Sequence, residues 1–544
     1  MGAANIFDGG SSNLTQDSGH TIAGTGQINV NTFTNNGTVD ANSSGHTLLL
    51  QSNSSAYVNN NLMEATNGGT LQETATTINN GPNGIIEANG GTVLLNGGTI
   101  TGGTLTSIGT SAINEQGSTN LINTTLSSGS NLYVLDGNNL VANNGSHNDV
   151  ITNNGTITVN KGGSNTNTGI SIANSVELAG TGSIILNANG NGLGAANIFD
   201  GGSSNLTQDS GHTISGTGEI TVNSFTNAGT VNANFSGKTL AITNSNTNNG
   251  TYEASNGGTL NVSNITNDSG SVLTGGTYEV AANSTMILPG TITVNNGNII
   301  LSGTNTTIAA IAPLNNNEGG FHLISGASFT TQGGLTNSGT IETTGATSNP
   351  SAAASTLTVS GTFTQTAGTT IDNGSIVTAT MDLQGGTLAG TGSVSGAVNN
   401  TGGTISPGDA PGTLTIGSLD QSSTGIVDIL LASLTSFDQL NVLGSATIDG
   451  TLNVSLAAGF SAPDNSTFDI LRSTGLSGIF SMVNLPSDFT VSYTATDVVL
   501  NYINNSGPPS SVPVPASAGL AAIGALGLLG LHQLKIRKRR HATI

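Results

Sequence analysis

The chain has 544 residues, of which 35% are hydrophobic, 3% aromatic and 7% charged, and it contains 79 glycines but no cysteine and no tryptophan. A typical globular domain is about 45–50% apolar and about 25% charged, so several compact domains with wide cores are excluded. Without cysteine the chain has neither disulfides nor thiolate metal sites. The net charge is −21. Only Lys161, Lys238 and Arg472 are basic before residue 535, and phosphate repulsion argues against nucleic-acid binding.

From the N-terminus, the first strong pattern is a duplication. Residues 2–42 and 194–234 are identical at 35 of 41 positions, and the similarity continues weakly at 64–71 and 253–260. A composition rich in Gly, Ser, Asn and Thr is typical of disorder. Here, however, β-branched residues alternate regularly with polar ones, as in Gly155-Thr-Ile-Thr-Val-Asn160. This alternation predicts short strands, with Ile157 and Val159 buried and Thr158 facing solvent.

A turn-like Asn-x-Gly-Thr element recurs between these strands at a spacing close to 22 residues. Gly and Asn supply the positive-φ corners that such turns need. Short strands at this spacing, with no amphipathic helix between them, predict an all-β, right-handed parallel β-helix over residues 1–404. An antiparallel sandwich is the structural alternative. The recurring elements begin at Asn35, Asn67, Asn89, Asn153, Asn227 and Asn248.

Residues 405–503 contain denser apolar strands, and a solenoid needs covers over its open ends. This region is therefore predicted to be a C-terminal β module, or cap. It begins with the sequence SPGDAPGTL at 406–414, followed by FDQLNV at 437–442 and GTLNVSL at 450–456. These segments resemble the end of autotransporter-type passenger β-helices. That resemblance covers about a fifth of the chain.

A polar linker at 504–511 leads to an uncharged stretch from Ala516 to Leu534. As a helix this stretch is just long enough to span hydrocarbon. A cluster of basic residues follows this stretch. Because positively charged residues stay on the cytoplasmic side of a membrane, the cluster predicts that this end lies in the cytoplasm and the body outside. The basic residues of the cluster are Lys535, Arg537, Lys538, Arg539 and Arg540.

The order of a Val-Pro-x-Pro motif, an apolar span and a basic cluster resembles the PEP-CTERM sorting signals, in particular their VPLPA-type variant. The matching motif residues are Val512, Pro513, Pro515 and Ala516. The resemblance implies export in a Gram-negative bacterium and processing by an exosortase, a membrane transpeptidase, with an association with exopolysaccharide and biofilm matrix. A permanent C-terminal anchor is the simpler alternative.

Residues 1–7 carry neither a basic region nor an apolar region of the kind that a signal peptide has. Met1 aligns with Leu193, which lies inside repeated sequence. The sequence therefore predicts that the start at Met1 lies within a longer solenoid.

The search for catalytic chemistry yields no site. The seven histidines form no metal-binding pattern, and His20 and His212 are equivalent by duplication, which predicts turn-flanking roles. Acids recur at repeat-equivalent positions, which predicts outward or corner roles rather than one catalytic centre. These acids are Asp8, Asp200, Glu64, Glu87 and Glu253. Calcium at Asp-Gly corners stays open, although no nonapeptide array of the known type is present. The sequence therefore predicts no catalytic, cofactor-binding or metal-binding residue.

Together these patterns predict an exported, non-enzymatic cell-surface or extracellular-matrix protein that contacts extracellular polysaccharide or other surface proteins and enters the membrane through its C-terminal helix. The resemblance to PEP-CTERM proteins implies an exosortase as a further partner. A β-helical polysaccharide lyase or hydrolase is the rival from another class. A threonine-rich ice-binding face is a weaker third, because Thr-x-Thr pairs are not in fixed register along the sequence.

Overall fold

The computed structural model describes residues 4–9, 11–142, 149–164, 166–188, 193–346, 353–408 and 410–503. These residues form strands, apart from corners and two short 3-10 helices at Leu193–Ala195 and Ala309–Ile311. The strands of the first part are β1 (Asn5–Phe7), β2 (Asn13–Gln16), β3 (Thr21–Ala23), β4 (Gly26–Asn29), β5 (Thr32–Asn35), β6 (Thr38–Ala41), β7 (Thr47–Leu50), β8 (Tyr57–Asn59), β9 (Leu62–Thr66), β10 (Thr70–Thr74), β11 (Thr77–Asn80), β12 (Ile85–Asn89), β13 (Thr92–Asn96), β14 (Thr99–Thr101), β15 (Thr104–Ile108), β16 (Ala112–Glu115), β17 (Asn120–Ile122), β18 (Thr125–Leu126), β19 (Asn131–Val134), β20 (Asn139–Ala142), β21 (Asp149–Asn153), β22 (Thr156–Val159), β23 (Gly169–Ile172), β24 (Val176–Ala179), β25 (Ser183–Asn187), β26 (Asn197–Asp200) and β27 (Asn205–Gln208).

The strands of the second part are β28 (Thr213–Thr221), β29 (Ser224–Asn227), β30 (Thr230–Ala233), β31 (Thr239–Ile242), β32 (Ser245–Asn248), β33 (Thr251–Ala254), β34 (Thr259–Val262), β35 (Asp268–Ser269), β36 (Val272–Ala281), β37 (Thr285–Ile287), β38 (Val294–Ser302), β39 (Thr307–Ile308), β40 (Asn316–Asn317), β41 (Gly320–Ile324), β42 (Ser328–Thr330), β43 (Leu335–Asn337), β44 (Thr340–Thr343), β45 (Thr356–Thr358), β46 (Phe363–Gln365), β47 (Thr369–Asp372), β48 (Ser375–Val377), β49 (Thr380–Leu383), β50 (Thr387–Gly390), β51 (Ser393–Asn400), β52 (Thr404–Pro407), β53 (Thr413–Gln421), β54 (Ile426–Leu431), β55 (Gln439–Val442), β56 (Ser445–Ile448), β57 (Thr451–Leu456), β58 (Thr467–Arg472), β59 (Gly475–Gly478), β60 (Met482–Asn484), β61 (Phe489–Tyr493) and β62 (Asp497–Tyr502).

Each of the first 25 strands pairs in parallel with the strand three places further along the chain, as β1 does with β4 and β2 with β5. Three strands therefore make one coil, and successive coils stack at about 4.8 Å. Face 1 holds β1, β4 and their successors to β25, face 2 holds β2 to β26, and face 3 holds β3 to β27. The prediction of an all-β parallel solenoid is confirmed, and the sandwich alternative is wrong because these pairings are parallel.

The interior is a stack of aliphatic and aromatic side chains from all three faces, and a strand such as β22 contributes two of them. Ile157 and Val159 are buried, while Thr158 on the same strand is partly exposed, so the predicted register is confirmed. Tyr252 lies in register with Tyr278, and their ring centroids are 6.3 Å apart in an edge-to-face arrangement. Burial of each such side chain stabilises the fold by about 1.5–3 kcal/mol.

The Asn-x-Gly-Thr element has two structural roles. In the first, the asparagine is fully buried at the end of a strand: Asn35 donates to Oδ1 of Asn59 at 2.8 Å, and its own Oδ1 accepts the amide of Gly37 at 3.0 Å. In the second, the asparagine is an exposed corner; Asn67 has a φ of +50°. One sequence pattern thus serves both the interior and the surface.

The glycine of the element is required by close approach between coils. A Cβ at Gly37 would lie 2.2 Å from the carbonyl oxygen of His20, and a Cβ at Gly250 would lie 2.2 Å from that of Gly229. Contacts this short exclude any side chain. The recurrence of Gly therefore follows from the packing of one corner on the next.

Buried amides form columns, or asparagine ladders, along the stack. The longest runs through Asn295, Asn317, Asn337 and Gln365 at donor–acceptor distances of 2.7, 2.8 and 2.9 Å. Asn317 also donates to the carbonyl of Thr340 in the next coil. Each ladder therefore links neighbouring coils through side chains as well as through the backbone.

The duplicated segments lie on different faces of the solenoid. The first copy begins with β1 on face 1, whereas the second begins with β26 on face 2. From β1 to β26 the chain advances 25 strands, which is eight coils plus one face. Nearly identical sequence therefore folds in the same way after a shift of one face around the axis.

Coil length varies more than the period of 22 predicts. Paired residues in adjacent coils are 17 apart at Thr213 and Thr230 and 31 apart at Thr451 and Met482. Several later strands bend from one face to the next; β28 pairs with β25 through its first half and with β26 through its second. The variation is taken up by corners of different length.

Parallel pairing continues across residue 404, since β50 pairs with β52 and β52 with β54. The pairing then changes near the end of the described chain, where β62 runs antiparallel to both β58 and β61. Aromatic rings gather there, with Phe468 5.4 Å from Phe437 and 6.0 Å from Phe489. The predicted division at residue 404/405 stays a prediction.

Candidate functional surfaces

The predicted sorting motif, the linker, the membrane helix at 516–534 and the basic cluster all lie outside the described residues. Within the part of the chain that is described, no helix has the length and hydropathy that crossing a bilayer requires. The candidate surfaces of the described residues belong to the solenoid.

A column of threonines marks the outward position at the start of successive face-1 strands. Thr213, Thr230, Thr251 and Thr277 follow one another in register over four coils, and a second run comprises Thr340, Thr369, Thr387 and Thr404. The outward position two residues further along each strand is not threonine throughout; in the first run it is Ser215, Asn232, Glu253 and Glu279. Paired Thr-x-Thr rows are thus not aligned there, as the sequence indicated.

Glu253 lies in register with Glu279 on the adjacent coil of face 1. Burial, followed by the charge of Glu279, raises the pKa of Glu253, while hydrogen bonds from Ser255 and Asn232 oppose the shift. Burial also raises the pKa of Glu279. The sequence singled out Glu253 but missed its partner, because the two are 26 residues apart and meet only through the coil register.

Glu64 and Glu87 lie in a second acidic column on face 3, together with Asp40. Burial raises the pKa of Glu64, and the charges of Asp40 and Glu87 add to the shift. The side chain of Thr66 donates to Asp40 at 2.8 Å. Among the described residues, no group of three or more His, Asp or Glu side chains has an arrangement that could hold a metal ion.

Asp8 and Asp200 have the same structural role in the two copies. Oδ2 of Asp8 accepts the amides of Ser12 at 2.7 Å and Asn31 at 2.9 Å. Oδ2 of Asp200 accepts the equivalent amides of Ser204 and Asn223. Both carboxylates hold a corner closed, in agreement with the corner role predicted for them.

His20 and His212 share their local sequence but not their environment. His20 is exposed, whereas His212 is fully buried with Nε2 3.1 Å from Nδ2 of Asn153. Burial lowers the pKa of His212 to about 4. The sequence could not separate the two residues, because the difference comes from the coil on which each copy is stacked.

One histidine–carboxylate pair was missed by the sequence search. Nδ1 of His322 lies 2.9 Å from Oε2 of Glu342 on the next coil, and both side chains are partly exposed. The hydrogen bond from His322 lowers the pKa of Glu342. Among the residues that the structure describes, no third ligating side chain joins this pair, so the pair by itself lacks the composition of a metal site.

Several carboxylates are buried and serve the backbone. Glu115 is fully buried and accepts the amide of Thr119 at 3.0 Å, and burial raises its pKa to about 7. Asp372 is buried in the same way beside Thr343, with a pKa raised to about 6. The sequence missed both, because acids at inward positions break the apolar–polar alternation used to assign faces.

Asp438 joins two of the three segments that carry the autotransporter resemblance, 406–414 and 437–442. Its Oδ1 accepts the amide of Gly412 at 3.1 Å and its Oδ2 accepts that of Leu430 at 2.8 Å. Burial raises the pKa of Asp438 to about 6. Beside it lies a cleft of about 380 Å³, lined in part by Ser406, Asp428 and Asn453.

The basic residues of the body are dispersed. The ammonium of Lys161 lies 4.1 Å from the ring centre of Tyr133, a cation–π contact. Arg472 pairs with Asp469, and Lys238 lies in the corner before β31. These three residues belong to different coils, so they form no common cationic site.

A comparison with models of protein families found no match to the chain, and a comparison with curated proteins found none either.

Proposed function

We propose that this protein is an exported, non-enzymatic cell-surface or extracellular-matrix protein that contacts polysaccharide or other surface proteins through repeated outward columns. The observation that supports this most strongly is the register of the face-1 threonine column. Within each of the two runs of four coils, the solenoid presents one threonine hydroxyl per coil at a spacing of about 4.8 Å. Many equivalent weak contacts suit adhesion to a polymer better than one reaction centre does.

The distribution of charge agrees with this proposal. The buried acids bond backbone amides within the fold, as Glu115 and Asp438 do, and are therefore committed to structure. The bases are dispersed, whereas a lyase needs a cation placed to neutralise or deprotonate a uronate. The outward groups that remain are mainly hydroxyls, amides and acids, some of them in register on adjacent coils.

The finer architecture belongs to the same proposal. The solenoid is right-handed, because crossover connections between parallel strands take that hand in about 98% of cases. Residues 405–503 act as the C-terminal cap, and the tail at 512–544 provides a transmembrane helix and an exosortase signal. The support for the tail is its sequence alone, namely Val512, Pro513, Pro515 and Ala516 ahead of an apolar span and the basic cluster.

A binding experiment with a matched variant tests the proposal. The full chain should co-sediment with at least one of insoluble cellulose, chitin or gelled alginate and release no reducing sugar or unsaturated uronate. Replacing Thr230, Thr251 and Thr277 by Val keeps the side-chain volume and removes three adjacent outward hydroxyls, so binding should weaken. The same change at Thr387 and Thr404 tests the second threonine run, where binding should weaken as well. Binding of none of the three glycans, or equal binding by the triple variant, would contradict the proposed surface.

A polysaccharide hydrolase is the second candidate, and one observation favours it. Glu253 and Glu279 lie in register on adjacent coils, whose backbones are about 4.8 Å apart. Retaining glycosidases use two carboxyl groups about 5–5.5 Å apart, and two acids in register on neighbouring strands are candidates for such a pair. If the chain releases reducing sugar, E253Q and E279Q should each abolish that release while E219Q does not. Such a result would replace the non-enzymatic proposal.

A further inference from the structure

The cleft beside Asp438 lies where one strand continues beyond its neighbour. β52 pairs with β54 through Thr404–Ile405 and Ile426–Val427, and β52 ends at Pro407 while β54 runs on to Leu431. The cleft of about 380 Å³ is lined by residues of β52, β54 and β57 together with Asp438. It is therefore a concave site on a solenoid whose other candidate surfaces are columns of outward side chains.

Hydrogen bonds fix the polar groups of this cleft. Both carboxylate oxygens of Asp438 accept backbone amides, and the residue retains only 4% of its accessible surface. On the outward side of the strands, Asn453 donates to Oδ1 of Asp428 at 2.7 Å, and Asn484 donates to Asn453 at 2.7 Å. The lining groups are thus oriented before a ligand binds, which lowers the entropic cost of binding.

The lining has the mixture of groups that a sugar ring requires. Asp428 presents a carboxylate that accepts hydroxyl hydrogens, while Ser406 and Ser455 present hydroxyls that both donate and accept. The partly exposed side chain of Leu430 is apolar. A pyranose ring carries hydroxyls around its edge and C–H groups on its faces, so it satisfies both kinds of contact. The volume also suits a small ligand, since ligand sites measure about 300–1,000 Å³.

The charge of the cleft selects among sugars. Its described lining contains two acids, Asp428 and Asp438, and no Lys, Arg or His. A uronate would bring a carboxylate towards Asp428 without a cation to balance it, and such a contact between like charges is unfavourable. An uncharged sugar avoids this repulsion.

The same two acids argue for binding without cleavage. Glycoside hydrolysis in most families uses two carboxyl groups on either side of the scissile bond. Both oxygens of Asp438 are occupied by the amides of Gly412 and Leu430. Within the described lining, Asp428 is therefore the one carboxylate available to a sugar.

We propose that this cleft binds a hexopyranose unit of an uncharged polysaccharide, with Asp428 accepting hydroxyl hydrogens and Leu430 contacting a face of the ring. The inference rests on the proposed contact with polysaccharide, for which it names a sugar class and a defined site. The threonine columns supply repeated weak contacts along a polymer, whereas the cleft holds one sugar unit in place.

Soluble hexasaccharides and the full chain provide the test, by isothermal titration calorimetry. Cellohexaose or chitohexaose should bind, and an alginate hexasaccharide, which consists of uronates, should not. Asp428→Ala should weaken the binding by about tenfold or more, because it removes a charge-assisted hydrogen bond. Ser455→Tyr keeps the carboxylate but places a ring in the cleft, so it should weaken the binding to a similar extent.

Asp382 provides a matched control on the same solenoid. Its Oδ1 accepts the amide hydrogen of Asn399 at 2.8 Å, as that of Asp428 does from Asn453, and both carboxylates are partly exposed. Asp382 does not line the cleft. Asp382→Ala should therefore have a similar effect on thermal unfolding and leave the affinity for the hexasaccharide unchanged. Equal affinities of the two Asp variants would overturn the proposal.

The remaining outcomes separate this site from the proposed function. If the chain co-sediments with cellulose or chitin but binds no hexasaccharide, the cleft proposal fails and the threonine columns remain. If the chain binds neither polymer nor hexasaccharide, both proposals fail. Preferred binding of the alginate hexasaccharide, or release of shorter sugars from any hexasaccharide, would also overturn the cleft as a site for binding uncharged sugars.

Discussion

Asn317 donates its amide hydrogen to Oδ1 of Asn337 at 2.8 Å, and both side chains are fully buried. The bond joins adjacent coils and belongs to a ladder that continues to Asn295 and Gln365. A solenoid with few charged residues and a narrow interior thus gains a polar link between coils that hydrophobic stacking alone does not supply.

Removal of one amide from this ladder should destabilise the protein. Asn317→Ala leaves the buried Oδ1 of Asn337 without its donor and removes one of the two acceptors of the Nδ2 of Asn295, which keeps the carbonyl of Gly320 at 2.8 Å. An unsatisfied buried acceptor costs about 1–3 kcal/mol. Asn316→Ala, on the outward side of the same strand, is the control and should cost much less. Chemical denaturation of both variants measures the difference, and equal losses would show that the ladder adds nothing.

The strand register makes a second prediction at Ile157. Ile157→Asp places an unpaired charge in the interior stack and should cost about 3–5 kcal/mol or prevent folding. Thr158→Asp, one residue away and directed outward, should cost under about 1 kcal/mol. Thermal unfolding followed by circular dichroism compares the two; similar tolerance of both changes would refute the register.

Glu115 should make stability fall as pH rises. Its pKa is raised to about 7 in the fold and is about 4.3 when unfolded, so the native state binds more protons between these values. The resulting stability is present below about pH 4 and is lost as pH rises through 7. Glu115→Gln removes this loss, so the free energy of unfolding of the variant should exceed that of the parent by about 3 kcal/mol at pH 8 but not at pH 4. Urea unfolding at both pH values measures the gain, and a pH-independent difference would exclude the assignment.

His212 should act in the opposite direction. Its pKa is lowered to about 4 by burial, so the unfolded chain binds a proton first as pH falls from about 6.5. Stability should decrease by about 3 kcal/mol between pH 7 and pH 4 through this residue. His212→Gln should lack that part of the acid sensitivity. The duplication provides the control: the variant His20→Gln, at the exposed equivalent position, should keep the full acid sensitivity of the parent.

The tail prediction concerns sorting. Pro513 and Pro515 replaced by Ala should leave the span's hydrophobicity unchanged, so membrane insertion should persist while processing fails and a precursor accumulates. Neutral residues at Arg537, Lys538, Arg539 and Arg540 should instead disturb orientation. Fractionation and immunoblotting in a host with the matching exosortase distinguish the two variants. If the Pro variant had the same size and cellular location as the parent, the sorting proposal would fail and the tail would act only as a membrane anchor.

The sequence was sufficient for the fold class, because Ile157 and Val159 alternate with threonines and the strands recur after Asn-x-Gly-Thr turns. The sequence was not sufficient to predict which polar residues are buried or which of them meet on adjacent coils. Asn35 and Asn67 begin the same motif, yet one is buried and one exposed. Glu279 meets Glu253 only through the register of adjacent coils, and coil length varies too much for that register to follow from a fixed period.

The shift of the duplicated segment by one face has a consequence for how such a chain can change in length. The unit that can be gained or lost without breaking the pairing is one strand with its corner, not one complete coil. A gain of one unit would leave every downstream strand paired, yet would redirect every downstream side chain by a third of a turn. Small insertions can thus change which groups share a side of the molecule while the interior stays the same.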